Sequence, residues 1–195
     1  MADNSRSPDV PAPGLLLGYV RMLLPRSAEI IDGFPHAPEA DANNRHGDSP
    51  GHQHIVQVAT RLADHHQRQW AAEDVSRAPG ASDAEVADSK RTIDGLNMAR
   101  VDLVGQIDEW VSGRVRSRET ASLHTETLGS VVDRLAIAWV RSNNLTAAGP
   151  SDRARLAMTQ LVELADSYDD LVRDLAAGQR RLPVWRHLKS YGGDL

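Results

Sequence analysis

Residues 82–110, SDAEVADSKRTIDGLNMARVDLVGQIDEW, decide the fold, because they predict one long helix. Ser82 stands at the position of an N-cap, and Glu85 follows three residues later, which is the pattern of a capping box. A stripe of residues then recurs at alternating spacings of three and four, which places one face of the helix against other helices. The stripe consists of Val86, Ser89, Ile93, Leu96, Arg100, Leu103, Ile107 and Trp110.

Arg100 lies in the middle of this otherwise mostly apolar stripe. A buried charge is strongly unfavourable unless it is paired, so we expect Arg100 to be buried opposite a carboxylate of another helix. Asp94 and Asn97 lie on the shoulder of the stripe and are further polar candidates. The stretch therefore predicts a helical bundle with a polar patch in its interior.

Three more stretches predict the other main helices: about 54–76, 123–140 and 151–178. Shorter helices are predicted near the N-terminus, within 15–34, and near the C-terminus, after Pro183. A polar, proline-rich start predicts a disordered tail over 1–13, and composition predicts a polar loop at about 36–53. We expect an all-α, single-domain bundle over 14–195 with its core at 54–191, since 195 residues suit one domain.

The composition excludes several classes of protein. Net charge is −5 and the basic residues are interleaved with acids, so we expect no nucleic-acid partner. The longest apolar run, 14–24, contains Arg21 and stops at Pro25, so we expect no membrane span and a cytoplasmic location. The chain lacks cysteine, and four histidines in its polar loop region lack the spacing of ligands, so we expect no metal and no cofactor. Those histidines are His36, His46, His52 and His54.

Residues 70–77, WAAEDVSR, are the first candidate for a functional site. Adjacent Glu73 and Asp74 usually mark a solvated helix face. Beside a helix whose stripe contains an arginine, they favour a buried ion pair instead. Arg77 lies one turn after Glu73, and Trp70 lies one turn before it.

Residues 124–130, HTETLGS, are the second candidate, at the start of the predicted third main helix. Free backbone amides and hydroxyl groups at a helix N-terminus bind anions, which makes this turn a possible anion site. The alternative is that Thr125 or Thr127 simply caps the helix. Glu126 and Arg134 add charges to the same region.

Four segments together resemble the bacterial domain-of-unknown-function family numbered 4254, over about residues 55–191. The segments are WAAEDVSR (70–77), KRTIDGLNMARVDLVGQIDEW (90–110), LHTETLGSVVDRLAI (123–137) and GQRRLPVWRHLKSY (178–191). The chain has His124, Leu128 and Val101 where the family usually has Asn, Pro and Asn. A looser likeness connects it to a branch in natural-product pathways of the azinomycin type, where such a protein takes part in closing an aziridine ring.

The enzyme hypothesis is ring closure by intramolecular displacement, in which an amine expels a sulfate-type anion and a carboxylate accepts the proton. Candidate bases are Glu73 and Glu126, which we prefer, followed by Asp74 and Asp94. Candidate anion- and substrate-binding residues are Trp70, Arg77, Asn97, Arg100, His124, Thr125, Thr127 and Arg134. We expect a small-molecule substrate with an anionic group, with a partner protein or homo-oligomer also possible. The alternative is a non-catalytic scaffold or partner-binding subunit whose polar residues form a structural ion-pair network.

Overall fold

The computed structural model describes residues 20, 23–35 and 50–184, and this part of the chain confirms an all-α bundle. The predicted tail at 1–13, most of the N-terminal helix at 15–24 and the C-terminal helix after Pro183 lie outside the described residues. The elements in chain order are α1 (Ser27–Asp32), α2 (Pro50–Ser76), α3 (Asp83–Ser112), β1 (Ser122–Leu123), α4 (Leu128–Ala147), α5 (Asp152–Ala176) and β2 (Arg180–Arg181).

Side-chain caps fix several of the helix ends. The Ser82 hydroxyl accepts a hydrogen bond from the Glu85 amide, and the Glu85 carboxylate accepts one from the Ser82 amide at 2.8 Å. This confirms the predicted capping box of α3. The Ser151 hydroxyl caps α5 by accepting a hydrogen bond from the amide of Ala154, and Gly178 follows that helix with φ of 68°. A left-handed glycine just past a helix end terminates the helix without steric cost.

Two helix boundaries differ from the sequence prediction. α2 begins at Pro50 rather than near residue 54, so the predicted loop over 36–53 is wrong for its last four residues. Proline is accepted in a first helical turn because its missing N–H would have no helical partner there. α4 continues to Ala147 rather than ending near Val140. The side-chain amide of Asn144 stabilises these extra turns. It donates a hydrogen bond to the Val140 carbonyl and forms two hydrogen bonds with the side-chain amide of Gln67.

The helices pack around α2 and α4. α2 packs against α3 and α4, α5 packs against the other side of α4, and the short α1 contacts α2, α4 and α5. In the described residues α3 and α5 do not pack on each other, so a groove is left between them over α4. The fully buried large side chains that fill the bundle include Ile30, Phe34, Ile55, Leu62, Leu103, Ile107, Leu128, Leu135, Tyr168 and Leu175.

The stripes are buried over most, but not all, of their predicted length. In α3, Ser89, Leu96, Leu103 and Ile107 are buried as expected, whereas Val86 is exposed. The first turns of α3 therefore extend beyond the part of the helix that other elements cover. In α5, Met158 is exposed, whereas Tyr168, Leu171, Val172 and Leu175 are buried. No helix in residues 20–35 and 50–184, so far as these are described, is long and apolar enough to cross a bilayer.

Two contacts attach peripheral segments to this bundle. The hydroxyl of the fully buried Tyr168 donates to the backbone carbonyl of Pro25 at 3.1 Å. Asp169 accepts hydrogen bonds from the amide and hydroxyl of Ser27. Just after the end of α5, the two-residue strand β2 pairs in parallel with β1, with Ser122 opposite Arg180. These strands are too short to produce a sequence pattern, and the prediction contained none.

Candidate functional site

A single carboxylate, that of Asp133, connects three helices at the centre of the candidate site. Asp133 lies on α4 and is 2% exposed. The Nε of Arg100, from α3, donates to both of its oxygens at 3.0 Å, and Nη2 lies 2.9 Å from Oδ2. On α2, Nε2 of His66 lies 2.8 Å from Oδ1. The site is therefore built by three helices that all pack on one another.

The two partners keep the buried carboxylate ionised. Burial alone raises the pKa of Asp133, because removal from water disfavours the charged form. The hydrogen bond and charge of His66, followed by those of Arg100, outweigh burial and lower the pKa below its ordinary value of 3.8. Asp133 is thus a fixed negative charge at neutral pH, and it holds the Arg100 guanidinium in one orientation.

The pairing predicted for Arg100 is confirmed, but its predicted burial is wrong. Its carboxylate partner, Asp133, belongs to another helix, as expected. The Arg100 side chain is 40% exposed, whereas that of Asp133 is 3% exposed. Arg100 keeps contact with solvent because its side chain lies beside grooves that no helix covers. The polar patch is therefore half-open rather than enclosed.

Of the two grooves beside Arg100, the larger has a volume of about 730 Å³ and lies between α3 and α5 over α4. Its charged lining comprises three arginines, two glutamates and Asp133, and apolar side chains such as Ile137 and Leu164 complete its walls. The charged residues are Arg100, Glu126, Asp133, Arg134, Arg141 and Glu163. A groove with an apolar surface and a few convergent charged groups is the usual form of a small-molecule site.

A smaller groove of about 330 Å³ lies on the other side of Arg100, between α2 and α4. It is lined by His66, Gln69, Trp70, Glu73, Asp74, Arg77, Arg100, Ile137, Val140 and Arg141. Arg100, Ile137 and Arg141 line both grooves. Arg100 therefore stands where the two spaces adjoin.

The structure divides the predicted site residues between the two grooves. Glu126 and Arg134 line the larger groove and form an ion pair at 2.8 Å. Glu73 lines the smaller groove and pairs with Arg77 of its own helix, while Asp74 is exposed. The expectation of a buried ion pair involving Glu73 or Asp74 is therefore wrong, since these residues follow the part of α2 that the core covers.

Five predicted residues line neither groove: Asp94, Asn97, His124, Thr125 and Thr127. Asp94 is exposed and pairs with Lys90, one turn earlier on α3. Asn97 is half-buried on the same helix, and Thr125 is exposed in the turn before α4. In that turn Nδ1 of His124 lies 2.9 Å from the backbone oxygen of Glu126, so the histidine stabilises the local chain.

At the start of α4, where the sequence predicted an anion site, protein groups occupy two of the backbone amides. Thr127 is the N-cap, and its hydroxyl accepts a hydrogen bond from the Ser130 amide. The Gly129 amide donates to the Asp108 carboxylate of α3 at 2.7 Å. A carboxylate at a helix N-terminus is also favoured by the helix dipole. The alternative reading, in which a threonine caps the helix, is confirmed.

Sequence reasoning missed Asp133 and His66 as partners and did not consider Glu163. Asp133 interrupts the apolar run from Val131 to Ala136, which is the same signal that drew attention to Arg100. His66 follows the apolar residues Ile55, Ala59 and Leu62 at helical spacing, so it too lies on the inward face of α2. Three inward polar residues on three helices were the available signal for a shared site.

Among the described residues there is no group of three or more His, Asp or Glu side chains arranged to hold a metal ion. His36 and His46 lie outside those residues. His54 stacks on Trp110 with ring centroids 5.8 Å apart, and Nδ1 of His52 lies 3.6 Å from the Glu29 carboxylate. These two histidines therefore have contacts of their own within the bundle.

A family model described as "Protein of unknown function (DUF4254)" matches residues 56–184, which is more than half of the chain. The chain therefore belongs to this family. Neither the comparison with curated proteins nor that with solved structures gave a match. The matched region contains α3, α4, α5 and the complete lining of both grooves.

Proposed function

We propose that this member of the DUF4254 family is a natural-product biosynthetic enzyme that closes an aziridine ring. In this reaction an amine nitrogen attacks the neighbouring carbon of the same molecule and expels a sulfate-type anion. A carbon–nitrogen bond forms and a carbon–oxygen bond breaks, with its electron pair leaving on the anion. The step involves no change of redox state, so we expect no cofactor.

The observation that carries this proposal is the way in which Arg100 is held. Its Nε and Nη2 bind the buried Asp133, which leaves Nη1 outside that ion pair, and the side chain is 40% exposed at the groove. A cation fixed before the reaction can stabilise charge that develops on a leaving oxygen without the cost of reorientation. Arg100 is thus suited to receive the departing sulfate.

The larger groove is the better of the two as the substrate site. It has more than twice the volume of the smaller groove, and it places Arg134 and Arg141 near Arg100 in the same lining. Three acidic side chains of the same lining balance these arginines, so a sulfate-type anion would be bound by individual guanidinium groups rather than by a net positive potential. The apolar side chains of Ile137 and Leu164 provide a surface for the uncharged part of the molecule. Contact with the walls of the groove would hold the substrate in the compact conformation from which the ring closes.

The two preferred bases lie in different grooves. Glu126 shares the larger groove with Arg100, whereas Glu73 lines the smaller groove beside Trp70. Only Glu126 of the two is therefore positioned to act on a substrate in the larger groove. Asp74 lines the smaller groove and Asp94 lines neither, so both are weaker candidates.

A turnover assay tests the proposal. Sulfated vicinal amino alcohols are incubated with the protein, and cyclic amine and released sulfate are measured together. Arg100→Met is expected to lower turnover by about 10²- to 10³-fold, the loss typical of removing one charge-stabilising group. Arg91→Met is the matched control, because Arg91 is exposed on the same helix and pairs only with Asp88. Equal turnover in the Arg100 and Arg91 variants would contradict the proposal.

One observation favours the alternative of a non-catalytic scaffold. Among the described residues, no buried side-chain nitrogen or oxygen lacks a hydrogen-bond partner, as expected of a structural ion-pair network. In that case a partner protein or a second copy of the chain would cover the grooves. Co-purification would then recover a stable complex, and Arg100→Met would weaken association rather than turnover. Both proposals place the protein in the cytoplasm.

A further inference from the structure

We propose that Glu163 of α5 binds the substrate's ammonium group and accepts its proton, an inference that rests on the proposed ring closure. The sequence did not single out this residue. It lines the larger groove together with Gln160 and Ser167, which lie one turn away on either side along the same helix. These three polar residues, together with Leu164, make the α5 wall of the groove.

The ion pairs of the groove point to Glu163. Arg100 is paired with Asp133 and Arg134 with Glu126. Within the described part of the chain, Arg141 and Glu163 are the lining residues whose charge has no ion-pair partner. The groove therefore offers one additional positive and one additional negative group, which is the complement of a substrate carrying both charges.

Competing interactions do not occupy the Glu163 carboxylate. The hydroxyl of Ser167 donates to the backbone oxygen of Glu163 at 2.7 Å, rather than to its side chain. By contrast, the Glu126 carboxylate is bound by Arg134 at 2.8 Å, and that of Glu73 is bound by Arg77 in the other groove. A base must have an accessible lone pair, and a carboxylate already bound to an arginine is a poorer acceptor.

The positions of Arg100 and Glu163 also suit the direction of the reaction. Arg100 belongs to α3 and Glu163 to α5, and these helices lie on either side of α4 with the groove between them. In a displacement the nucleophile attacks from the side opposite the leaving group. A base on one wall and an anion-binding cation on the other therefore match the required in-line arrangement.

The ammonium transfers one proton to the Glu163 carboxylate and becomes a neutral amine. Its lone pair forms the new carbon–nitrogen bond while the carbon–oxygen bond breaks, and the electron pair leaves on the sulfate held by Arg100. The ring nitrogen then carries the positive charge and releases its extra proton to water.

The test compares Glu163→Gln with Asp166→Asn, a change at an exposed acid on the same helix that does not line the groove. Calorimetric titration at neutral pH measures the affinity for 2-aminoethyl sulfate and, separately, for inorganic sulfate. Glu163→Gln is expected to weaken binding of 2-aminoethyl sulfate by about fivefold or more, the upper range for an exposed ion pair. Its affinity for inorganic sulfate is expected to stay within twofold of wild type, and Asp166→Asn is expected to change neither.

Turnover provides the second readout. Glu163→Gln is expected to lower turnover by about 10²- to 10⁴-fold, the range for loss of a general base, and Glu126→Gln by much less. If Glu163→Gln keeps the affinity and turnover of the wild type, this inference is wrong. The proposed function would still stand in that case, provided that Arg100→Met is inactive. Equal affinity for inorganic sulfate in the wild-type protein and in Arg100→Met would instead contradict the proposed function.

Discussion

The guanidinium of Arg100 binds the carboxylate of Asp133 through two nitrogens, with Nε at 3.0 Å and Nη2 at 2.9 Å. Two contacts of this kind fix the plane of the guanidinium as well as its position. His66 holds the same carboxylate from α2, with Nε2 at 2.8 Å from Oδ1. The orientation of a half-exposed cation at the groove is therefore set by a nearly inaccessible anion.

The first prediction compares the two members of this pair in folding stability. Asp133→Asn is expected to reduce the free energy of unfolding by about 3–5 kcal/mol, because it removes the shared partner of Arg100 and His66. Arg100→Met is expected to cost less, about 1.5–3 kcal/mol, since Asp133 then keeps its contact with His66. Urea denaturation of the two variants measures the difference.

The control for this comparison is the exposed pair of Glu126 and Arg134. Arg134→Met is expected to change the free energy of unfolding by at most about 1 kcal/mol, as is usual for an ion pair in contact with solvent. If Arg100→Met costs more than Asp133→Asn, then the carboxylate is not the residue on which this part of the bundle depends.

A second prediction follows from the lowered pKa of Asp133. A carboxyl group whose pKa is lower in the folded than in the unfolded protein stabilises the fold above its unfolded pKa. That contribution is lost as pH falls below the ordinary value of 3.8 and through the lower folded value. The stability difference between wild type and Asp133→Asn should therefore shrink between pH 5 and pH 3. A constant difference in urea denaturation over this range would show that the carboxyl group titrates normally.

A third prediction concerns the close contact between α3 and α4 at Gly129. A Cβ atom there would lie 2.4 Å from the Val104 carbonyl oxygen and 2.8 Å from Asp108 Oδ1. Gly129→Ala must therefore separate the two helices and is expected to destabilise the fold by about 2 kcal/mol or more. The Gly129 amide contact with Asp108 would be strained at the same time.

Gly95→Ala is the matched control within α3. A Cβ atom at Gly95 would have no neighbour within 4 Å. The substitution should stabilise the protein by about 0.5–1 kcal/mol, because alanine has the higher helix propensity. Thermal melts of both variants test the pair, and similar melting temperatures would contradict the proposed close approach.

A fourth prediction is that chelators and added zinc leave the melting temperature and activity unchanged. The chain lacks cysteine, and its described residues contain no cluster of three candidate ligands. Elemental analysis of the purified protein is the check, and a stoichiometric metal would contradict the prediction.

The sequence predicted those helix ends that are determined by residues close together in the chain. Ser82 with Glu85, and Ser151 with Gly178, marked helix ends because a cap is satisfied within one turn. Pro50 and Asn144 misled the prediction for the opposite reason. Both residue types have a low helix propensity. Pro50 is nevertheless accepted because it lies in the first turn of α2, and Asn144 is accepted because it forms hydrogen bonds with Gln67.

The site was harder to predict because it depends on how separate helices align. The position of Arg100 in its stripe indicated a carboxylate on another helix, but periodicity could not identify Asp133 among the available acids. Nor could it show that α5 stands away from α3, which leaves Arg100 half-exposed and forms the groove. The same lack of tertiary information led to Glu73 and Glu126 being placed together, although they line different grooves.

The most direct test of the account is to locate the substrate's sulfur atom. Crystals saturated with 2-aminoethyl sulfate are measured for anomalous scattering from sulfur, and the four methionines serve as internal references. We predict a sulfate group in the larger groove with an oxygen about 3 Å from the Arg100 guanidinium. Crystals of Arg100→Met should show no anomalous peak for sulfur at this position. A sulfate bound only elsewhere, or bound in the groove equally well without Arg100, would contradict this prediction.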